Sequence, residues 1–200
     1  MDHGLLHALN GFLAHHDYVE DPVLAYSNFA ELLFLVLLAG LFVFTRGYTR
    51  RAARRGVIGA GLSAAVALAI AQVLAALVDR QRPFVSDPGG VHLFARHVAD
   101  PGFPSDHATA SFAIAVAILL RSRRWGYVTL ALATVLSVSR VALGIHFPTD
   151  VLAGAALGGA TALALWIPPL RGRLHVLADR LGGVWDGAVA AIGRFATARW

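Results

Sequence analysis

Five long apolar runs divide this 200-residue chain, and they restrict its possible folds more than any other feature. The runs lie near residues 24–45, 57–78, 107–121, 127–146 and 149–169. A helix of about 20 apolar residues crosses the roughly 30 Å hydrocarbon core of a bilayer. Only 14% of the residues are charged, whereas a soluble domain carries about 25%. The sequence therefore predicts an all-α integral membrane helical bundle with about five transmembrane helices, forming one domain over residues 1–200.

Three clusters of arginine lie in alternate loops between these runs. They occupy residues 46–55, 121–124 and 171–173, and the chain contains no lysine. Short arginine-rich loops remain on the cytoplasmic side of a membrane. We therefore expect a multi-pass protein of the bacterial cytoplasmic (inner) membrane, with residues 79–106 and 144–148 on the extracytoplasmic side. The cations form no continuous basic patch, so no nucleic-acid partner is expected.

The two ends of the chain are predicted to lie at the membrane surface. Residues 1–23 form an N-terminal interfacial segment, because the run at 3–16 is too short to span. Residues 171–200 form a cytoplasmic amphipathic tail with leucines at helical spacing, interrupted near Gly182–Gly183. The chain contains no cysteine, which excludes disulfides and thiolate chemistry.

The stretch FPSDH at 103–107 begins the third apolar run. Ser105 or Asp106 fits the N-cap of a helix there, and a helix N-terminus binds phosphate through its free N–H groups. Asp106 is therefore included with Ser105 among the candidate phosphate-binding residues. His107 would lie in the first turn, facing the anion as a general acid. Alternatively, the stretch is a helix cap followed by a polar histidine at the membrane interface.

Two arginines at the ends of apolar runs are candidate phosphate ligands. Arg140 lies inside the fourth run, where an arginine costs at least about 2.5 kcal/mol and marks a functional or paired site. Arg82 follows the second run, and a guanidinium donates two parallel hydrogen bonds to phosphate. Arg80 is adjacent, and a basic residue at the membrane interface is the simpler interpretation of it.

A histidine and an aspartate flank the start of the fifth run. His146 precedes Pro148, which fits the first position of a helix, and Asp150 falls in that helix's first turn. Asp150 is therefore predicted to accept a hydrogen bond from His146, fixing its tautomer for attack on phosphorus. An ordinary helix cap has the same spacing.

Together these motifs resemble the type 2 phosphatidic acid phosphatase superfamily, whose pattern is K-x6-R-P, then P-S-G-H, then S-R-x5-H-x3-D. The matching positions are Arg82-Pro83, Pro104-Ser105-x-His107, Ser139, Arg140, His146 and Asp150. The resemblance implies that His146 is the nucleophile, that His107 protonates the leaving group and that Asp150 orients His146. It also implies that phosphate is bound by Arg82, Arg140 and Ser105.

At two positions the chain departs from the superfamily pattern, and both departures point to one subgroup. Ala75 takes the place of the family's lysine, for which Arg80 could substitute, and Asp106 takes the place of the glycine. Both departures resemble the bacterial undecaprenyl-diphosphate phosphatases associated with bacitracin resistance, which carry R-P-F-V and H-A-A-D-x-x-F-P-S-D-H-x-T. This chain has RPFV at 82–85 and HVADPGFPSDHAT at 97–109, which makes His97 a possible accessory residue.

Glu31 interrupts the first apolar run, where a carboxylate is costly. It is predicted to pair with Arg140 or Arg82 and shape the pocket for a diphosphate, and a polar contact between helices is an equal alternative. Glu31 is therefore a second possible accessory residue.

The predicted activity is hydrolysis of undecaprenyl diphosphate to undecaprenyl phosphate and phosphate through a phosphohistidine, with no metal and no cofactor. The expected partners are this polyprenyl diphosphate and membrane lipid. A broader phosphatase acting on phosphatidic acid or phosphatidylglycerophosphate is the first alternative. The others are a non-catalytic lipid-phosphate binder, a vanadate-dependent haloperoxidase and an enzyme with a histidine-bound zinc, which a chelator would inactivate.

Overall fold

The computed structural model describes residues 2–45, 47 and 49–197, and most of these residues are in helices. About 81% of the described residues are helical, and they contain no strand. The helices are α1 (Asp2–Ala14), α2 (Asp17–Phe44), α3 (Thr49–Val78), α4 (Pro83–Ser86), α5 (Asp106–Leu119), α6 (Arg123–Ala142), α7 (Pro148–Leu165) and α8 (Pro168–Thr197). The prediction of an all-α bundle is confirmed.

Four of these helices, α2, α3, α6 and α7, are long and apolar enough to cross a membrane. The third predicted run becomes α5, which has only 14 residues and is about 21 Å long at 1.5 Å per residue. Helices α3, α6 and α7 pack around α5, so much of it is buried within the protein. Enclosure by neighbouring helices explains how so short an element fits in the centre of the bundle.

Close packing of α7 against α5 fixes the arrangement of the motifs. A Cβ atom at Gly158 would lie 2.2 Å from the carbonyl oxygen of Thr109, and one at Gly154 would lie 2.6 Å from that of Ser105. Small residues four positions apart let helix backbones approach closely in membrane proteins. This contact places the first turn of α5 beside the first turn of α7.

Helix α1 lies across the end of the bundle at which these first turns meet. Its Leu6 and Leu13 are buried, and the Asn10 side chain donates hydrogen bonds to the carbonyl oxygens of His92 and Ala142, both 2.8 Å. The next helix, α2, already begins at Asp17. Residues 17–23 therefore belong to the first spanning helix, whose start lies seven residues before the predicted position 24.

The C-terminal tail is one continuous helix, so the predicted interruption at Gly182–Gly183 is wrong. Buried Arg54 of α3 passes close to Gly182 and donates a 3.1 Å hydrogen bond to its carbonyl oxygen. The glycine thus makes room for a neighbouring side chain. Ion pairs from Arg54 to Asp186 and from Arg55 to Asp179 also join α3 to α8. Arg46 and tail residues 198–200 lie outside the described residues.

Candidate active site

A cavity of about 460 Å³ opens where α3, α5 and α7 bring their motif-bearing ends together. The predicted site residues that line it are Arg82, His146, His107, Asp106, His97 and Glu31. Arg82 follows α3, His107 is in the first turn of α5, and His146 lies between α6 and α7. Three motifs separated in sequence therefore converge on one space.

His146 is almost fully buried, with 2% of its surface exposed. Its Nδ1 lies 2.9 Å from the carbonyl oxygen of Gly102, which makes Nδ1 the protonated nitrogen and leaves a lone pair on Nε2. Burial lowers the pKa of His146 to about 4, partly opposed by the carboxylate of Asp150. A neutral, oriented imidazole is the form required of a nucleophile.

Asp150 does not make the hydrogen bond to His146 that the spacing predicts. Its Oδ2 lies 3.8 Å from His146 Nδ1, beyond hydrogen-bonding distance. Oδ2 instead accepts a 2.8 Å bond from the backbone N–H of Phe147, at the start of α7. The carboxylate caps its own helix, and Gly102 orients the histidine in its place. Asp150 still lies near His146 as a buried negative charge.

Arg82 is buried and joins His146 to the 97–102 loop. Its Nε donates a 2.8 Å hydrogen bond to Asp100 Oδ1, and its NH1 lies 3.2 Å from His146 Nε2. The Asp100 carboxylate thus fixes Nε of the guanidinium, while NH1 faces His146 Nε2, the nitrogen that would attack phosphorus. This geometry suits a donor to a phosphoryl group in transfer.

Arg140, the second predicted phosphate ligand, is buried near the end of α6. Its NH1 donates a 3.1 Å hydrogen bond to Ser27 Oγ, whereas its Nε has no hydrogen-bond partner among the described residues. A buried N–H without an acceptor is costly, so the guanidinium retains capacity for an anion. Arg140 is nevertheless not among the residues that line the cavity, and its role as a phosphate ligand stays a prediction. The neighbouring motif residue Ser139 bonds back to the carbonyl oxygen of Leu136 at 2.7 Å.

Glu31 contacts His107, so the predicted pairing with an arginine is wrong and the alternative, a polar contact between helices, is the one observed. Glu31 Oε1 lies 3.2 Å from His107 Nε2, while neither Arg140 nor Arg82 forms an ion pair with it. Helices α2 and α5 face each other across the cavity, so the first turn of α5 is nearer to Glu31 than either arginine is. Glu31 is therefore placed to exchange a proton with His107.

Ser105 and Asp106 form the start of α5. Ser105 is the N-cap, as predicted, and its Oγ accepts a bond from the N–H of Ala108 at 3.5 Å. It is fully buried. Asp106 accepts a 2.9 Å hydrogen bond from Gln72 on α3, a polar residue within the second apolar run that the sequence analysis did not select. Gln72 also lines the cavity, one turn before Ala75, which lines it too.

Arg80 does not take the position of the missing lysine at Ala75. Its NH1 donates to Asp150 at 2.7 Å and its NH2 donates to Asp2 at 2.8 Å, and it is not among the residues lining the cavity. The acidic side chains on α1 and α7 draw the guanidinium away from the cavity. Arg80 positions Asp150 and has no geometric support as a phosphate ligand.

His97 lines the cavity opposite the other two histidines. Its Nδ1 lies 3.1 Å from the carbonyl oxygen of Val98 and 3.7 Å from Asp100. Burial lowers the pKa of His97 below its ordinary value. Asp100, which holds Arg82, was missed in the sequence, although it lies within the motif HVADPGFPSDH.

The part of the chain that the structure describes contains one group of three side chains suited to hold a metal ion. It consists of His3, His7 and Asp87, and none of these lines the cavity. The candidate catalytic histidines, His107 and His146, do not belong to it. Their neighbours are the carboxylate of Glu31 and the guanidinium of Arg82.

The chain is similar in sequence to two bacterial proteins with known names. The chain is 32% identical over 153 residues to undecaprenyl-diphosphatase BcrC of Bacillus subtilis, covering 76% of each chain. It is 36% identical over 140 residues to the putative undecaprenyl-diphosphatase YbjG of Escherichia coli, covering 68% of this chain and 69% of that one.

Two solved structures share the fold. The structure of LpxE from Aquifex aeolicus superposes with a TM-score of 0.63 at 18% identity, covering 82% of this chain and 93% of that one. The transmembrane PAP2 type phosphatidylglycerolphosphate phosphatase from Bacillus subtilis gives 0.56 at 19% identity, covering 82% and 83%. The family profile described as the PAP2 superfamily matches residues 56–173, which include every motif at the cavity. The chain therefore belongs to the PAP2 superfamily.

Proposed function

We propose that this protein hydrolyses undecaprenyl diphosphate to undecaprenyl phosphate and inorganic phosphate. The observation that carries the proposal is the position of His146 Nε2, 3.2 Å from Arg82 NH1 in a cavity shared with His107. The names of the relatives supply the substrate class, since both BcrC and YbjG are described as undecaprenyl-diphosphatases. Residues 1–200 act as a single membrane phosphatase domain.

In the first step His146 Nε2 forms a bond to the terminal phosphorus while the bond to the bridging oxygen breaks. The Gly102 carbonyl oxygen accepts a hydrogen bond from Nδ1–H, so the positive charge that develops on the ring is stabilised by a backbone dipole. Buried Asp150, 3.8 Å away, adds a negative charge that stabilises the same cation. Arg82 and Arg140 carry the charge of the transferring phosphoryl oxygens.

His107 supplies and recovers the proton. It protonates the departing undecaprenyl phosphate oxygen, then accepts a proton from the water that attacks phosphohistidine 146 and releases phosphate. Glu31, 3.2 Å from His107 Nε2, exchanges a proton with the ring before the first step and after the second, so that the ring is neutral between them. All atoms and charges balance without a further reactant.

An apolar cavity of about 440 Å³ adjoins the catalytic one and supports a lipid substrate. The two share Glu31, Gln72, Asp106 and His107. The apolar side chains that continue the wall are Phe34, Leu35, Leu68, Ile114 and Leu136. A polyprenyl chain could follow this wall between α2 and α3 while its diphosphate reaches His146. Each Å² of apolar surface that the lipid chain and this wall remove from water would contribute about 25 cal/mol to substrate binding.

The orientation proposed for the protein follows from its arginine-rich loops. Arg50, Arg51 and Arg54 lie at the end of α3 opposite to the cavity. The positive-inside rule supports a proposed position of the cavity on the extracytoplasmic side of the bacterial inner membrane. There the enzyme would return the carrier lipid to the monophosphate form used in peptidoglycan synthesis, and bacitracin resistance would follow from faster removal of the diphosphate.

Phosphate release in detergent with excess EDTA tests the proposed function. Wild-type protein should hydrolyse undecaprenyl diphosphate, and the His146→Ala variant should not. Phosphatidic acid and phosphatidylglycerophosphate are assayed in parallel as the substrates of the alternative, broader lipid phosphatase. Activity on those lipids alone would replace the proposed substrate, and silence on all three would contradict phosphatase activity.

A further inference from the structure

Two histidines of α1 and one aspartate form a cluster outside the catalytic cavity. His3 and His7 are one helical turn apart, which places both on the same face of α1. Asp87 follows α4 and approaches from an element more than 80 residues away in sequence. One ligand-type atom from each side chain lies within 4.8 Å of the others. The cluster therefore depends on tertiary packing as well as on the helical spacing of His3 and His7.

The distances match those between the ligands of a zinc ion. His7 Nε2 lies 3.3 Å from Asp87 Oδ2. In a tetrahedral site, bonds of about 2.0–2.1 Å to zinc place two ligand atoms about 3.3–3.4 Å apart. His3 has to approach by up to about 1.5 Å, which its exposed side chain can do by rotating away from its edge contact with the Phe147 ring. Two histidines at i and i+4 with one carboxylate are a donor set that suits zinc.

The backbone around Asp87 is shaped to hold its carboxylate in this position. The N–H of Gly90 donates a 3.0 Å hydrogen bond to Asp87 Oδ1, which leaves Oδ2 facing His7. A Cβ at Gly90 would lie 2.5 Å from Oδ2 and 2.8 Å from Oδ1. A side chain at this position would require the carboxylate to shift. Orientation of a ligating carboxylate by a second hydrogen bond is a regular feature of metal sites.

The cluster is also open to solution. The side chains of His7 and Asp87 are 41% and 34% exposed, so an ion can reach them without opening the fold. Three protein ligands leave the fourth tetrahedral position to water. A plain His7–Asp87 ion pair would account for the 3.3 Å distance, and contact of the His3 ring with Phe147, 5.1 Å between ring centroids, would account for the position of His3. Measurement of bound metal distinguishes a zinc site from these contacts.

We propose that His3, His7 and Asp87 bind a zinc ion that clamps α1 to the loop after α4. The clamp acts close to the catalytic network. Asp2, adjacent to His3, accepts a 2.8 Å hydrogen bond from Arg80, which in turn donates to Asp150 beside His146. The ion takes no part in phosphoryl transfer and holds α1 in place over the end of the bundle that carries the cavity.

Zinc content and thermal stability test this site without reference to activity. Protein without a histidine tag is stripped with chelator, dialysed against limiting zinc and analysed for bound metal. Wild type should retain one zinc ion per chain, and zinc should raise its melting temperature by at least about 2 °C. His3→Ala and His7→Ala should each weaken binding at least about tenfold.

The matched control is His15→Ala, which removes an exposed histidine just beyond the end of α1. It should bind zinc as wild type does. Because His3 and His7 are both exposed, the two alanine variants are expected to fold, and melting in chelator verifies this. Absence of stoichiometric zinc from wild type would overturn the proposal, as would equal binding by wild type and both alanine variants.

Discussion

Arg82 offers a direct test of the geometry because it spans two partners at once. Its Nε bonds to Asp100 at 2.8 Å while its NH1 lies 3.2 Å from His146 Nε2. A lysine has a single nitrogen and cannot occupy both positions. The Arg82→Lys variant therefore keeps the charge but loses the donor at the nucleophile or its attachment to Asp100.

The expected losses can be estimated from these contacts. Loss of one donor to a transition-state oxyanion costs about 2.7–4 kcal/mol, so Arg82→Lys should lower kcat about 10²–10³-fold. Asp100 acts only by holding the guanidinium, and its side chain is 51% exposed. Asp100→Asn should therefore cost about 1 kcal/mol after allowance for solvent screening, or about fivefold in kcat/KM.

The double variant separates this explanation from two independent effects. If Asp100 acts through Arg82, adding Asp100→Asn to Arg82→Lys should change kcat/KM less than about twofold. Phosphate release in detergent gives all four rates, and Asp21→Asn, an exposed acidic residue early in α2, is the matched control. Additive losses, or Arg82→Lys activity within about threefold of wild type, would refute the reasoning.

Three further predictions concern proton exchange, ionisation and packing. Glu31→Gln should lower kcat about tenfold, less than the roughly 10²–10⁴-fold expected for loss of His107, the proposed general acid. Unchanged turnover would remove Glu31 from the mechanism. Because burial lowers the pKa of His146 to about 4, its ring should stay neutral from pH 7 down to about pH 5 in nitrogen-15 NMR, with Nδ1 protonated, whereas an ordinary histidine titrates near 6.5. A midpoint above 6 would contradict this account. Gly158→Ala places a Cβ 2.2 Å from a backbone oxygen and should destabilise the protein by about 1–3 kcal/mol in thermal unfolding. The control Gly159→Ala makes only an ordinary 3.6 Å contact. Equal destabilisation by the two substitutions would show that the close approach of α7 to α5 does not determine the stability of the protein at Gly158.

The sequence was sufficient to predict the bundle and the convergence of its motifs. Long apolar runs have few alternatives to spanning helices, and each motif lies at a run end that the arginine distribution assigns to one side. His107 and His146 could therefore be predicted to meet before any coordinates were known. The short α5 is also visible in the sequence, because its apolar run ends at Arg121.

The hydrogen-bond partners could not be predicted in the same way. The spacing of His146 and Asp150 permits a direct bond, but the choice depends on Gly102, 44 residues away in sequence, which supplies a better acceptor. Glu31 could face an arginine or a histidine, and only the positions of α2 and α5 decide between them. These outcomes depend on tertiary contacts, about which local sequence patterns carry no information.

Tertiary contacts also explain why the C-terminal helix is continuous, which local sequence patterns did not predict. Two consecutive glycines ordinarily weaken a helix, and the sequence analysis accordingly placed an interruption at Gly182–Gly183. Packing against α3 favours the continuous helix, because the Arg54 guanidinium occupies the space beside Gly182 and reaches Asp186. The Asp179 carboxyl, bonded to Arg51 and Arg55, has its pKa lowered well below the usual range, in agreement with a tightly held helix.

The most direct test of the central claim is detection of the phosphohistidine itself. Protein is mixed with undecaprenyl diphosphate labelled in the terminal phosphate, quenched in alkali within milliseconds and examined for label on the peptide that contains His146. Our account predicts an acid-labile, alkali-stable phosphate on His146 in wild type and none in His146→Ala. Label on another residue, or turnover by His146→Ala at the wild-type rate, would contradict it.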